Sequence, residues 1–139
     1  MQRGSSLTSE AVVFDSWAWW EVVRSSPLGD RLARRYLEAM GVRVLTVDYT
    51  LAEIAAKLAL LGLGASIPAS LAVIERASNV LPISVAVAEL AASLRLELRR
   101  TDPHASLFDA VVLATARLHP ATLISGDPCY AGQRDVRAS

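Results

Sequence analysis

The sequence contains a single cysteine, Cys129, among its 139 residues. One cysteine cannot form an internal disulfide, and this scarcity favours a protein of a reducing compartment. We therefore expect a cytoplasmic location. The sequence also lacks an apolar stretch approaching the roughly 20 residues needed to cross a bilayer. Even the apolar residues 54–65 include Lys57 and are interrupted by glycines.

We expect no secretory signal, because no apolar segment follows Arg3 near the N-terminus. We interpret residues 1–10 as a short flexible extension, residues 11–134 as one domain, and residues 135–139 as a polar tail. A chain of this length suits a single hydrophobic core. Hydrophobic residues make up 53% of the chain and charged residues 20%, which excludes a disordered protein.

An excess of positive charge is absent, since the formal net charge is zero. A protein that coats RNA or DNA by neutralising phosphates is usually strongly basic, so the charge argues against that class. A nuclease with an acidic metal pocket stays open, because the metal supplies positive charge locally. The sequence has neither a G-x-G-x-x-G nor a Walker-type phosphate loop, which argues against a nucleotide-binding protein.

Apolar patterning predicts strands alternating with helices along the chain. Strands are expected from residue 11 and over 42–47, 79–84 and 121–125; helices are expected over 28–40, 51–64, about 66–77, after Ser84, and over 106–120. Pro82 has no N–H, so the third strand should lie near an edge of the sheet. The alternation predicts an α/β domain with a mainly parallel central sheet and helices on both faces.

Four acidic residues follow strands or begin helices in this scheme. Asp15 ends the first strand, Asp127 follows the last, and Glu53 and Asp109 lie in the first turns of helices. Functional groups of open α/β sheets gather beyond the carboxyl ends of the strands, so the four side chains could converge. Clustered carboxylates repel one another, and Mg²⁺ or Mn²⁺ would relieve that repulsion because hard cations prefer oxygen ligands. Two such ions can promote hydrolysis of a phosphodiester.

Three of these acids also have a purely structural explanation. Asp109 lies three residues after Ser106, and Glu53 three residues after Thr50, which is the spacing of a helix capping box. Asp127 stands in a Gly-Asp-Pro turn and could be an ordinary turn residue. Asp15 is flanked by apolar and tryptophan residues, and no capping pattern accounts for it. Helix caps and metal ligands both remain open at this point.

Four segments carry a resemblance to a known family. They are VVFDSWAW, TVDYTLAEIAAKL, SLFDAVVLATARL and ATLISGDPCY. Together they resemble the four motifs of PIN domains, in the family's order and across residues 11–130. The chain departs from the family pattern in two places, since Tyr130 replaces the usual Phe and the N-terminal extension is longer than typical.

The resemblance implies a three-layer α/β/α sandwich and cleavage of single-stranded RNA that depends on Mg²⁺ or Mn²⁺. Small members of the family are most often VapC-like toxins, which an antitoxin holds inactive and which are commonly homodimers. By position, Asp15, Glu53 and Asp109 would be the main catalytic and metal-binding acids. Asp127 would be an outer or second-metal acid, with Ser125 as a hydrogen-bonding partner near it.

The alternative function is a catalytically silent protein-binding module with the same fold, suggested by tryptophans and arginine-rich helix faces. Trp17 and Trp20 share one helical face, with Trp19 elsewhere, and we favour core packing or a dimer contact over base stacking. The arginines expected on solvated faces are Arg31, Arg34, Arg35, Arg95, Arg99 and Arg100. Cys129 is interpreted as a bystander thiol. A zinc site is not expected, because no cysteine–histidine set has the required spacing.

Overall fold

The computed structural model describes residues 10–138, so the extension predicted over residues 1–10 lies outside the described residues except for Glu10. The strands are β1 (Glu10–Phe14), β2 (Val42–Val47), β3 (Asn79–Leu81), β4 (Thr122–Ile124) and β5 (Val136–Arg137). The α-helices are α1 (Ser16–Val23), α2 (Pro27–Leu32), α3 (Tyr49–Leu60), α4 (Ile67–Ala77), α5 (Val85–Leu98) and α6 (Leu107–Leu118). Short helical turns cover Ala33–Leu37, Gly64–Ser66 and Pro128–Tyr130.

The five strands form one sheet in the order β3-β2-β1-β4-β5, and every pair of neighbours is parallel. This confirms the predicted parallel sheet, with β3 at an edge as Pro82 indicated. The sheet has one strand more than the sequence predicts, because Val136 and Arg137 of the expected tail pair with β4. The chain runs from β1 through β2 to β3 in one direction and then returns to the other side of β1, which makes the end of β1 the switch point.

Helices cover both faces of the sheet and produce two hydrophobic cores, as the alternation predicts. Val12 and Phe14 of β1 face the core formed with α1 to α4. Val13, between them, faces the core formed with α5 and α6. Alternate β1 residues therefore enter opposite cores, which explains why this strand is a continuous apolar run.

Several element boundaries differ from those predicted, each for a local reason. The helix α3 begins two residues earlier than expected and ends at Leu60, before Gly62 adopts a φ of 78° that a helix cannot continue. The third strand ends at Leu81, directly before Pro82. The helix predicted over 28–40 is α2 followed by a π-helical turn that ends at Leu37. No helix within residues 10–138 is long and apolar enough to cross a membrane.

Gly29 sets how closely α2 approaches α1, and its replacement should destabilise the fold. A Cβ atom at this position would collide with the main-chain carbonyl group of Glu21. We expect Gly29→Ala to lower the free energy of unfolding by roughly 1–3 kcal/mol, the usual range for overpacking. Urea unfolding followed by circular dichroism measures the change.

Gly64→Ala is the matched control, because a Cβ there would have no heavy atom within 4 Å. Its stability should stay within about 0.5 kcal/mol of the wild type. Equal losses in the two variants would contradict a specific close approach at Gly29.

Candidate active site

The four predicted acids come together beyond the carboxyl ends of β1 and β4. Asp15 follows β1 and Asp127 follows β4, the strand beside it in the sheet. The charge of Asp109 raises the pKa of both Asp15 and Glu53, so α6 and α3 bring their acids to the same place. Asp109 is thus the common neighbour of the group. The structure therefore brings acids from four separate parts of the chain to one end of the sheet. Within residues 10–138, the group close enough to share one ion is Asp109, Asp127 and Cys129, without Asp15 or Glu53.

Asp15 is the N-cap of α1, a role that the sequence pattern did not reveal. Its Oδ1 accepts a hydrogen bond from Ala18 N at 2.9 Å, and the residue is 6% exposed. Burial raises the pKa of Asp15 to about 7, against the opposing effect of hydrogen bonds from Ser125 and Ala18. The negative charges of Asp127 and Asp109 raise it further.

Asp109 is a helix cap as well as a member of the acidic group. The capping box predicted with Ser106 is present: Asp109 N donates to Ser106 Oγ at 3.1 Å, and Ser106 N donates to Asp109 Oδ2 at 2.7 Å. The capping box occupies one carboxylate oxygen. Capping and metal binding are therefore compatible at this residue.

Glu53 does not form the capping box with Thr50 that its spacing in the sequence allowed. The helix α3 begins at Tyr49, so Thr50 already lies within its first turn, and the N-cap residue is Asp48. Burial raises the pKa of Glu53, and a hydrogen bond with Ser16 opposes that effect. The Oε1 atom of Glu53 is buried without a hydrogen-bond partner. A buried carboxylate oxygen without a partner costs free energy, and a bound cation would offset that cost.

Asp127 caps the short helical turn that follows β4. Its Oδ1 accepts from Cys129 N at 2.9 Å, and its own N–H donates to Ser125 Oγ at 3.0 Å. Ser125 is 3% exposed and also hydrogen-bonds to Asp15. This serine therefore connects the first and last acids, in agreement with its expected position near Asp127.

Cys129 lies among the acids, a location that the sequence interpretation as a bystander missed. Its Sγ and one carboxylate oxygen each of Asp109 and Asp127 lie within 4.8 Å of one another. Burial raises the pKa of the thiol, and the neighbouring carboxylates raise it further, so it remains protonated. The Gly-Asp-Pro turn in the sequence could have indicated this location, because residues two apart in a tight turn lie close together.

Tyr130 ties this turn to α6, and its hydroxyl is the feature that a Phe would lack. The phenol donates to the main-chain oxygen of Asp109 at 2.9 Å. Burial raises the pKa of Tyr130 well above its ordinary value, and the charges of Asp15 and Asp109 act in the same direction. The hydroxyl therefore stays protonated and holds the first turn of α6 against the end of β4.

The three aspartates share one arrangement that suits a divalent cation. Each accepts a main-chain N–H with one carboxylate oxygen: Oδ1 in Asp15 and Asp127, and Oδ2 in Asp109. These bonds orient the carboxylates, and Ser125 adds a hydrogen bond to Asp15 while the Cys129 thiol hydrogen-bonds to Asp109 and Asp127. The ion pairs among residues 10–138 use other acids, namely Glu10, Glu21 and Asp135. No side-chain cation of residues 10–138 therefore offsets the repulsion among Asp15, Asp109 and Asp127. Carboxylate oxygens are ligands that fit Mg²⁺ or Mn²⁺.

A groove of about 500 Å³ opens beside the acids. Its lining residues are Ser16, Trp17, Trp20, Glu21, Glu53, Ile54, Lys57 and Asp127. Trp17 and Trp20 share one side of α1, as predicted, whereas Trp19 is fully buried and donates to Thr46 Oγ1 at 3.0 Å. The predicted solvated face of Arg31, Arg34 and Arg35 is exposed.

Comparison with known proteins identifies the family. The sequence model of the PIN domain family matches residues 12–131. No curated protein sequence matches the chain.

Solved structures share the fold over nearly the whole chain. A toxin–antitoxin complex from Klebsiella pneumoniae is 26% identical, with a TM-score of 0.66 over 91% of this chain and 95% of that one. The Mycobacterium tuberculosis toxin VapC20, which cleaves the sarcin–ricin loop, is 21% identical, with a TM-score of 0.67 over 91% and 98% of the two chains. DNA-bound VapBC from Salmonella typhimurium is 14% identical, with a TM-score of 0.71 over 92% and 96%.

The raised pKa of Asp15 predicts how stability depends on pH in the metal-free protein. Because the folded-state pKa is about 7 against an ordinary 3.8, the folded protein keeps a proton that the unfolded chain releases. The contribution of Asp15 to the free energy of unfolding therefore falls as pH rises from about 4 to about 7. Asp15→Asn removes this loss, and its Oδ1 can still cap α1.

We expect Asp15→Asn to be more stable than the wild type at pH 8, by at most about 4 kcal/mol. The difference should shrink towards pH 5. Urea unfolding with a chelator present, repeated at several pH values, measures it. A difference that stays constant from pH 5 to pH 8 would contradict the raised pKa.

Proposed function

The chain belongs to the PIN domain family, and from that premise we propose that it is a divalent-metal-dependent endoribonuclease. Its substrate would be single-stranded RNA, and its role that of the toxin in a toxin–antitoxin pair. One observation carries the proposal: Asp15, Glu53, Asp109 and Asp127 lie near the switch point of the sheet, and no side-chain cation of residues 10–138 forms an ion pair with them. The cleavage described for the similar Mycobacterium tuberculosis toxin supports RNA as the substrate.

The four acids would hold the ion, through the carboxylate oxygens that main-chain N–H groups leave open and through the unpartnered Oε1 of Glu53. Bound Mg²⁺ or Mn²⁺ would supply an activated water and stabilise the charge that develops on the phosphodiester oxygens. Ser125 and Ala18 orient Asp15 by hydrogen bonds. Tyr130 keeps Asp109 beside the end of β4. These contacts fix the acids before substrate arrives, which is the preorganisation that such catalysis needs.

The proposal includes two protein partners, an antitoxin and a second copy of the chain. Solved structures similar to this chain are toxin–antitoxin complexes, which supports the antitoxin. Several large apolar side chains are exposed, among them Leu60 at 85% and Val85 at 76%, and exposed apolar surface supports protein contacts.

Light scattering tests the dimer. We expect a mass near twice that of the 14.9 kDa chain. A monomer at a protein concentration of tens of micromolar would contradict the homodimer. The nuclease function would not be affected by that result, because the cleavage assay tests it separately.

Asp109→Asn separates the metal role of Asp109 from its capping role. The change removes the charge but keeps the size of the side chain, so we expect cleavage of single-stranded RNA to fall by more than roughly 100-fold, the upper range for loss of an outer-shell partner. The assay follows cleavage of a labelled RNA in Mg²⁺ or Mn²⁺. The fold should survive, as judged by circular dichroism.

Ser106→Ala is the control for the cap, because it removes the same capping box while leaving the acid in place. This variant should lose about 1 kcal/mol of stability and keep most of its activity. Asp30→Asn, an exposed acid of α2, controls for the change in net charge and should cleave like the wild type.

Cleavage that persists in EDTA, or in Asp109→Asn, would exclude the proposed mechanism. Specific metal binding must also raise the melting temperature of the wild type. No cleavage, together with no metal-dependent rise in melting temperature, would instead support the silent protein-binding module.

A further inference from the structure

The groove beside the acids has the composition of a nucleotide-binding surface. It contains two of the four acids, Glu53 and Asp127, together with two indole rings and an ammonium group. A volume of about 500 Å³ lies within the range of small-molecule sites. A molecule bound here would lie beside both acids and both indoles. The groove is therefore continuous with the proposed active site.

Trp17 is held against the loop that carries Asp127. A Cβ atom at Gly126 would overlap the six-membered ring of this indole, so the absence of a side chain lets Trp17 pack directly on the loop. Trp17 is partly buried and also lines the groove. The glycine thus places a flat aromatic ring immediately beside one of the acids.

Lys57 is the second distinctive group of the groove and the only lysine in the sequence. Its Nζ lies 4.4 Å from the centroid of the Trp20 ring, a cation–π contact that holds the ammonium group in place. Lys57 lies one helical turn after Glu53 on α3. The ion pairs formed among residues 10–138 do not include Lys57, although its charge lowers the pKa of Glu21 in the same groove. A phosphate at Lys57 would therefore lie beside a carboxylate that already interacts with the ammonium group.

We propose that this groove binds one nucleotide of single-stranded RNA next to the scissile phosphate, with the base stacked on Trp17 and a phosphate at Lys57. The inference rests on the proposed nuclease function and adds the location of its substrate. An unpaired base offers a flat face that stacks on an aromatic ring, and a phosphate offers the anion that a lysine binds. The nearby acids would then face the phosphodiester.

The positions of the three tryptophans confirm the core packing favoured from the sequence and add a second role, since the partly buried Trp17 and Trp20 pack against the core. Trp19 takes the core role, since it is fully buried and bonded to Thr46. Trp17 and Trp20 also flank the groove that ends at the acids. Trp17 and Trp20 therefore combine core packing with a surface on the groove, and base stacking by Trp17 would use the groove surface.

An abasic RNA tests the stacking directly. In an Asp109→Asn background, which prevents cleavage, an eight-nucleotide RNA should bind roughly tenfold more tightly than its abasic counterpart, as measured by fluorescence polarisation. Trp17→Leu should remove this preference and Trp17→Phe should keep most of it, because leucine retains apolar bulk without a flat ring. A preference that survives in Trp17→Leu, or that is absent before the change, would overturn the inference.

Salt dependence tests the phosphate contact. Lys57→Gln should lower the magnitude of the slope of log affinity against log salt by about 0.7, the value for one phosphate on a single strand. Lys57→Arg should restore the slope. Arg76→Gln is the matched control, because it removes the same charge from an exposed position on α4. An equal change of slope in Arg76→Gln would assign the effect to net charge and overturn the contact.

The outcomes separate this inference from the proposed function. If the chain binds RNA through Trp17 but does not cleave it with Mg²⁺ or Mn²⁺, the nuclease function fails and the binding surface stands. If cleavage depends on metal but Trp17→Leu leaves KM unchanged, the surface is overturned and the function stands. If the chain does not bind RNA, both the nuclease function and the RNA-binding groove are overturned. If Trp17→Leu changes the oligomeric mass, Trp17 lies in a protein interface and the RNA-binding groove is overturned.

Discussion

The constraint on which the candidate active site depends is the burial of Asp15 and Glu53 at one end of a parallel sheet, near the charge of Asp109. Asp15 is nearly inaccessible to water, and its pKa rises to about 7 because burial and two neighbouring charges disfavour its ionised form. A fold under selection for stability alone would not place acids here, since ionised groups without partners are costly to bury. A bound divalent cation would offset this cost, as the function proposed here requires.

The local backbone makes the arrangement possible because a main-chain N–H binds one carboxylate oxygen of each aspartate. Asp15 caps α1, Asp109 caps α6, and Asp127 caps the turn after β4. Capping explanations and metal-binding explanations therefore describe the same residues, because a helix N-terminus both orients a carboxylate and stabilises its negative charge. The sequence left open whether Asp109 is a helix cap or a metal ligand. The two roles are compatible, because the capping bond uses Oδ2 of this residue.

The helix α1 connects the acids to the surface on which RNA is proposed to lie. It begins at the cap formed by Asp15, so its first turns are fixed beside the site, and its three tryptophans point to different environments. Trp19 enters the core, while Trp17 and Trp20 line the groove. Gly126 completes the geometry because the indole of Trp17 occupies the space that a side chain there would need. The segment that positions the first acid thus also shapes the approach to it.

The sequence by itself determined the parallel α/β architecture, the edge position of β3 and the four acids as a set, because apolar periodicity, proline and motif order are local properties. It did not predict β5, whose two residues form a strand only beside β4. It left open whether Thr50 caps α3, and the structure shows that the helix begins at Tyr49 with Asp48 as its N-cap residue. The tertiary structure alone decided that Cys129 lies among the acids, that Glu53 Oε1 is buried without a partner, and that Trp17 packs on Gly126. These relations join residues from different elements, and only packing sets their distances.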